Sequence, residues 1–142
     1  MPSFTQRIPN LMQVGPVIDI TLTPSAIYLQ KMDISPSAAK SVRLLAMIDT
    51  GATGTVIKEG LPATLGINPV GTTLINTPSS MGVSCNQFDI QMLFSNNVNI
   101  PSIVVIEAPL QGQHIQCLIG RDILQHGVFI YNGCDNSFTL SF

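Results

Sequence analysis

The chain has 142 residues and a formal net charge of -2, and its six basic residues are scattered, which leaves no electrostatic footprint for nucleic acid. Only 10% of residues are charged against 45% apolar, well below the roughly one quarter charged that soluble domains usually carry, so the surface is either hidden in an oligomer or unusually uncharged. The longest apolar runs, 44–48 and 103–106, fall far short of the ~20 residues of a membrane-spanning helix, and the length fits one domain over residues 1–142.

Residues 1–7 lack the apolar stretch of a secretory signal, which makes the cytoplasm the expected location. Residues 17–23 alternate, with Ile18, Ile20 and Leu22 on one face and Asp19, Thr21 and Thr23 on the other, the period-2 pattern of a half-buried strand. Residues 26–30 are expected to continue it after a bend at Pro24. A surface loop over 31–41 follows, and 42–48 is apolar on nearly both faces, as a central buried strand would be. That strand runs into Asp49-Thr50-Gly51-Ala52. Val56 and Ile57 start another strand, and 59–67, dominated by turns, leaves room for one helical turn at most. Residues 72–76 and 83–94 predict a long hairpin around a small, polar tip, with Phe88, Ile90, Met92 and Phe94 on one face. Two more strands are expected over 100–106 and 114–119. The period then changes: Gly120, Asp122 and Gly127 bracket about two helical turns, with Asp122 where the helix dipole favours an anion. Residues 128–131 and 138–142 flank a turn and close the chain on a strand. Eight to ten short strands with one short C-terminal helix predict an all-β domain of the closed-barrel kind.

The chemistry is concentrated at Asp49. A lone carboxylate is a poor catalyst of amide hydrolysis, but two held within ~3 Å cannot both ionise, so one keeps a proton and the pair supplies an acid and a base together. Such a pair needs neither metal nor cofactor. The chain holds one Asp-Thr-Gly, so a pair requires two copies. Other candidates read as structural. Asp122 has no Thr-Gly turn and suits a helix start, His114 and His126 are twelve positions apart without metal-like partners, and Cys85, Cys117 and Cys134 have neither zinc nor disulfide spacing.

Leu44-Leu45-Ala46-Met47-Ile48-Asp49-Thr50-Gly51-Ala52, together with the later Leu118-Ile119-Gly120-Arg121-Asp122, resembles the paired motifs of retropepsins, the retroviral-type aspartic proteases. The shared proton of the dyad is the known behaviour of that class. The resemblance implies a closed acid-protease barrel, a homodimer, and an aspartic endopeptidase acting on extended polypeptide. It implies that Asp49 is the acid/base of each subunit, that Thr50 bonds across the two-fold axis, and that Gly51 and Ala52 complete the turn. Ser79, Ser80, Met81 and Gly82 would form the flap, Val56 and Leu118 would line side-chain pockets, and Gly120, Arg121 and Asp122 would support the turn. The terminal strand, with Phe138, Leu140 and Phe142, would interleave at the dimer interface. The chain departs from the viral pattern at Thr53, where an acidic residue commonly pairs with the later arginine; Arg121 would then pair with Asp122 or another group. Thr53 and a glycine-poor flap leave open a retropepsin-like dimerisation or peptide-binding module without useful catalysis. A monomeric barrel whose Asp-Thr-Gly is only a turn is the third reading.

Overall fold

The computed structural model describes residues 2–77, 80–110 and 114–142. Its main sheet has seven strands in the order β2 (Val17–Pro24), β3 (Val42–Ile48), β8 (Cys117–Ile119), β4 (Val56–Lys58), β7 (Asn99–Ala108), β6 (Ser80–Phe94) and β5 (Gly71–Thr77), and a further pairing of β2 with β6 closes six of them into a barrel. The alternation of 17–23 becomes β2 (Val17–Pro24), with Ile18, Ile20 and Leu22 buried. β2 pairs antiparallel with β3 (Val42–Ile48), whose Leu44, Ala46 and Ile48 face the core. The hairpin prediction holds as β5 (Gly71–Thr77) and β6 (Ser80–Phe94). The far half of β6 turns its buried Phe88, Ile90, Met92 and Phe94 inward and pairs with both β7 (Asn99–Ala108) and β2, which is how the ring closes.

The connection that matters most is made by the shortest strands. β8 (Cys117–Ile119) lies between β3 and β4 (Val56–Lys58), parallel to the first and antiparallel to the second. The two ends of a loop that leaves β3 and returns as β4 are thereby separated by a third strand from far along the sequence. The loop is residues 49–55, which carries Asp49.

Several elements differ from the sequence expectation. Residues 26–30 are not strand but the core of α2 (Ala26–Lys31), because Ser25 stops the strand and caps a helix, its hydroxyl accepting the Tyr28 N–H at 3.0 Å, while Tyr28 and Leu29 are buried. Instead of one helix the described residues form four short ones, with α1 (Leu11–Val14), α3 (Leu61–Leu65) and α4 (Arg121–Leu124), plus a 3-10 turn over Pro36–Ala38. Residues 114–116 lie outside β8, which is confined to Cys117–Ile119. α4 covers one turn rather than two. Gly127 beyond it is required by packing, since a Cβ there would lie 2.2 Å from the Ser141 carbonyl oxygen.

The terminal strand is the largest departure. Ser3–Arg7 forms β1, and together with β9 (Val128–Asn132) it flanks β10 (Ser137–Ser141) in a three-stranded antiparallel sheet. Both hydrogen-bonding edges of β10 are therefore satisfied within the chain. Phe138 and Leu140 are fully buried in its own core, and Phe142 stacks on Phe94 with ring centroids 5.4 Å apart. An interleaved terminal strand would have to displace β1 or β9 first; within the chain Phe138 and Leu140 belong to the core and Phe142 packs against it.

Candidate active site

Asp49 follows β3 directly, and its backbone N–H donates to the Ile119 carbonyl at the end of β8 (2.9 Å). The half-buried carboxylate is turned back on its own loop: Oδ1 accepts the Gly51 N–H at 2.9 Å. Gly51 is needed for space rather than for a left-handed conformation. Its φ is not positive, but a Cβ there would stand 3.1 Å from Asp49 Oδ1.

The loop is fastened to the later motif by backbone and side-chain bonds. Arg121 N–H donates to Ala52 O (2.9 Å) and Asp122 N–H to Thr53 O (3.1 Å). The Arg121 guanidinium donates from Nη1 to Thr50 O (2.7 Å) and from Nη2 to Thr53 Oγ1 (3.2 Å). It does not pair with Asp122, contrary to one expectation above. Asp122 is occupied elsewhere: Oδ2 accepts Thr55 N–H (2.9 Å), and Oδ1 accepts both the Thr55 hydroxyl (2.7 Å) and the Ile123 N–H (2.9 Å). This satisfies its charge and fits the helix-start reading over that of a second reacting acid. Thr55 is fully buried and also accepts the Gly120 N–H at 3.1 Å, so one hydroxyl joins the Asp49 loop, β8 and α4. Sequence reading passed over Thr55; the only local hint was a polar β-branched residue ahead of the apolar Val56-Ile57.

Gly120 sits where the two segments touch. A Cβ there would fall 2.7 Å from Gly54 C and O and 3.0 Å from Ala52 O, all backbone atoms that cannot rotate away. Gly120→Ala should lower stability by about 1–3 kcal/mol, the usual cost of overpacking, and should push residues 52–54 out of place. Thermal unfolding checks the first effect; an unchanged midpoint would show that the loop yields freely.

A groove of about 540 Å³ opens beside the turn, floored by Gly51, Ala52, Thr53 and Gly54 and walled by Val56, Ile106 and the β5 residues Leu74 and Asn76. Val56 lines the same groove as the turn. Leu118 is paired with Val56 across β4 and β8 but does not line the groove. Of the residues expected to form a flap, Ser79 lies outside the described residues and Ser80 pairs with Thr77 at the hairpin end. Met81 is 85% exposed, and Gly82 has φ +67° with its N–H donating to Asn76 Oδ1 (3.0 Å), which ties β6 to the groove wall.

Among the described residues no cluster of metal-ligating side chains occurs, and His114 and His126 are exposed. A second cavity, of about 460 Å³ between β7 and α4, is lined by Ser102, Asp122, His126 and Phe142, away from Asp49. The Cys117 thiol is pushed far up by complete burial and, secondarily, by the nearby Asp122 charge, so it stays protonated and inert. Of the three cysteines only Cys134 is exposed. A thiol reagent should therefore label one site rapidly in the native protein and three after unfolding, and rapid labelling of Cys117 would contradict its burial.

An aspartyl protease family model matches residues 36–123, which spans more than half of the chain and contains both motifs. The chain belongs to the aspartyl protease family. The family segment runs from the 3-10 turn before β3 to Ile123 in α4, so the hydrogen-bonded unit described above lies inside it. Its fold is similar to that of a retropepsin-like aspartic protease from Rickettsia conorii, with a TM-score of 0.53 and 12% identity over 100% of this chain and 95% of the other. Two more distant likenesses are the retroviral protease-like domain of Ddi1 from Leishmania major (TM-score 0.46, 15% identity, 88% of each chain) and the EIAV protease complexed with the inhibitor HBY-793. The latter aligns with TM-score 0.37 and 21% identity over 59% of this chain and 76% of its own. No curated protein matches the chain. No helix among the described residues is long and apolar enough to cross a membrane.

Proposed function

We propose that residues 1–142 form a single retropepsin-like domain that works as a homodimeric aspartic endopeptidase. The observation that carries this reading is the single Asp49, held by Gly51 at the edge of a groove and fastened through Thr55 to Gly120 and Asp122, in a chain of the aspartyl protease family. One carboxylate makes half of a dyad, and a second copy supplies the other. In the pair, the ionised member takes a proton from a bound water as it attacks the scissile carbonyl, while the protonated member donates to the carbonyl oxygen. Collapse of the tetrahedral intermediate then returns a proton to the leaving nitrogen. Because the reaction uses one ionised and one protonated member, rate should fall once the pair holds either two protons or none.

The groove supports an extended peptide with apolar side chains, since Val56, Leu74 and Ile106 offer the walls. The three-stranded sheet supports association in another way than interleaving. β1 and β9 are its free edges, and Val128 and Ile130 of β9 are about half exposed. The test is digestion of casein and a peptide library from acidic to neutral pH, with solution mass by light scattering on the same samples. Bell-shaped cleavage by a dimer is expected. A single-chain mass at every concentration with no cleavage would end the proposal, and a dimer that binds peptides without cutting would replace it with the peptide-binding reading.

A further inference from the structure

The position of Arg121 has a consequence for which polypeptides the groove would take. All eight side-chain carboxylates of the chain lie in described residues, and the two ion pairs found are Arg7 with Asp135 and Arg43 with Asp19. No carboxylate comes within 4 Å of the Arg121 guanidinium, including that of Asp122, its neighbour in sequence. Its two bonds among the described residues go to neutral oxygens, Thr50 O and Thr53 Oγ1, which leaves three of the five N–H donors and the whole charge uncommitted there. Thr53 lines the groove, and the guanidinium stands 3.2 Å from its hydroxyl on an exposed side chain. The groove lining itself carries no charged side chain. Apart from the Asp49 pair at the reacting bond, a peptide laid along it therefore meets the Arg121 cation at its margin and no acid in the walls.

We propose that Arg121 selects polypeptides carrying an acidic side chain within three residues of the scissile bond. The inference rests on the endopeptidase reading above. A carboxylate that reaches the free N–H groups gains a charge-assisted, geometrically matched bond, whereas a neutral amide of the same shape gains less. At an exposed arginine the difference should appear as about a ten-fold preference in kcat/KM, shrinking as added salt screens it.

The experiment walks a glutamate, and separately a glutamine, through the three positions on each side of the bond in a peptide that wild type cleaves. Assays run above the ordinary glutamate pKa of about 4.3 so that the side chain is ionised. Glu should exceed Gln at one or two positions. Thr53→Asp should abolish the preference by giving Arg121 a partner inside the chain, while Thr53→Asn, of the same shape and uncharged, should keep it. Those two variants separate charge from mere support of the loop. Cleavage with equal rates for Glu and Gln everywhere overturns the inference and leaves the endopeptidase reading intact. So does a Thr53→Asp variant that keeps the wild-type Glu preference, which would assign the selecting charge to another group. Should no peptide be cut, fluorescence anisotropy of the labelled set decides: Glu-selective binding lost in Thr53→Asp overturns catalysis and leaves Arg121 as the selector of acidic peptides for binding alone, and absence of binding overturns both.

Discussion

Asp49→Asn should lower kcat/KM for peptide cleavage by at least about a thousand-fold, since it removes the acid and the base together and each such role is worth 10²–10⁴. The fold should survive. Asparagine has nearly the same shape, and its Oδ1 can still accept the Gly51 N–H that Asp49 holds at 2.9 Å. A thermal midpoint close to wild type is therefore expected alongside the lost activity, and a variant that cuts as well as wild type would remove Asp49 from the mechanism. The same variant tests whether the missing carboxylate comes from a second chain. If subunits of wild type and variant are mixed one to one and allowed to exchange, only pairs of two wild-type chains keep a dyad. Activity should then fall to about one quarter in a two-fold dimer, against one half for sites that act independently. A value near one half would place a complete site in every chain.

How far the sequence reached can be judged from particular residues. The period-2 alternation of Ile18, Ile20 and Leu22, and of Phe88 through Phe94, is legible because one face of each strand is buried and the pattern repeats several times. The two motifs were legible for a physical reason now visible: Gly120 touches the backbone of residues 52 and 54, so neither segment can vary freely without the other. Residues 3–7 were not readable as a strand, since Phe4 is their one apolar member and their extended shape comes from pairing with β10, over 130 positions away. The four-residue apolar run 26–29 fits either period, so the signal that separates helix from strand at α2 is the capping Ser25. The terminal strand was assigned to an interface by resemblance, and what changed its role is the neighbouring hairpin strand β9, which occupies the edge an interleaving partner would need. Arg121 shows the same limit at the scale of one side chain. Its motif was recognisable, but its partners, Thr50 O and Thr53 Oγ1, could be assigned only once the loop had been folded against α4.

Thr55→Val should cost roughly 3 kcal/mol and lower the thermal midpoint by on the order of 10 °C. Valine keeps the branched shape and volume, so packing changes little and the effect isolates the hydroxyl. Without it, Asp122 Oδ1 loses its shortest bond and the Gly120 N–H loses its acceptor, both in a region where Thr55 itself has no exposure. Each buried group left without a partner carries a penalty of about 1–3 kcal/mol, and the Asp122 oxygen retains only the Ile123 N–H. Thr55→Ser keeps the hydroxyl and gives up one methyl group, for which about 1 kcal/mol is expected. The order wild type, then Ser, then Val is the diagnostic result in a denaturant or thermal series. If valine proved as stable as serine, burial of the side chain rather than its hydrogen bonds would be holding the loop. The functional consequence follows from the same atoms. Residues 52–54, which floor the groove, are tied to 120–122 through this hydroxyl and its neighbours, so loosening it should reduce the turnover of Thr55→Val more than that of Thr55→Ser, at temperatures where both remain folded. Equal turnover in the two variants would mean that Asp49 is positioned by the backbone bonds alone.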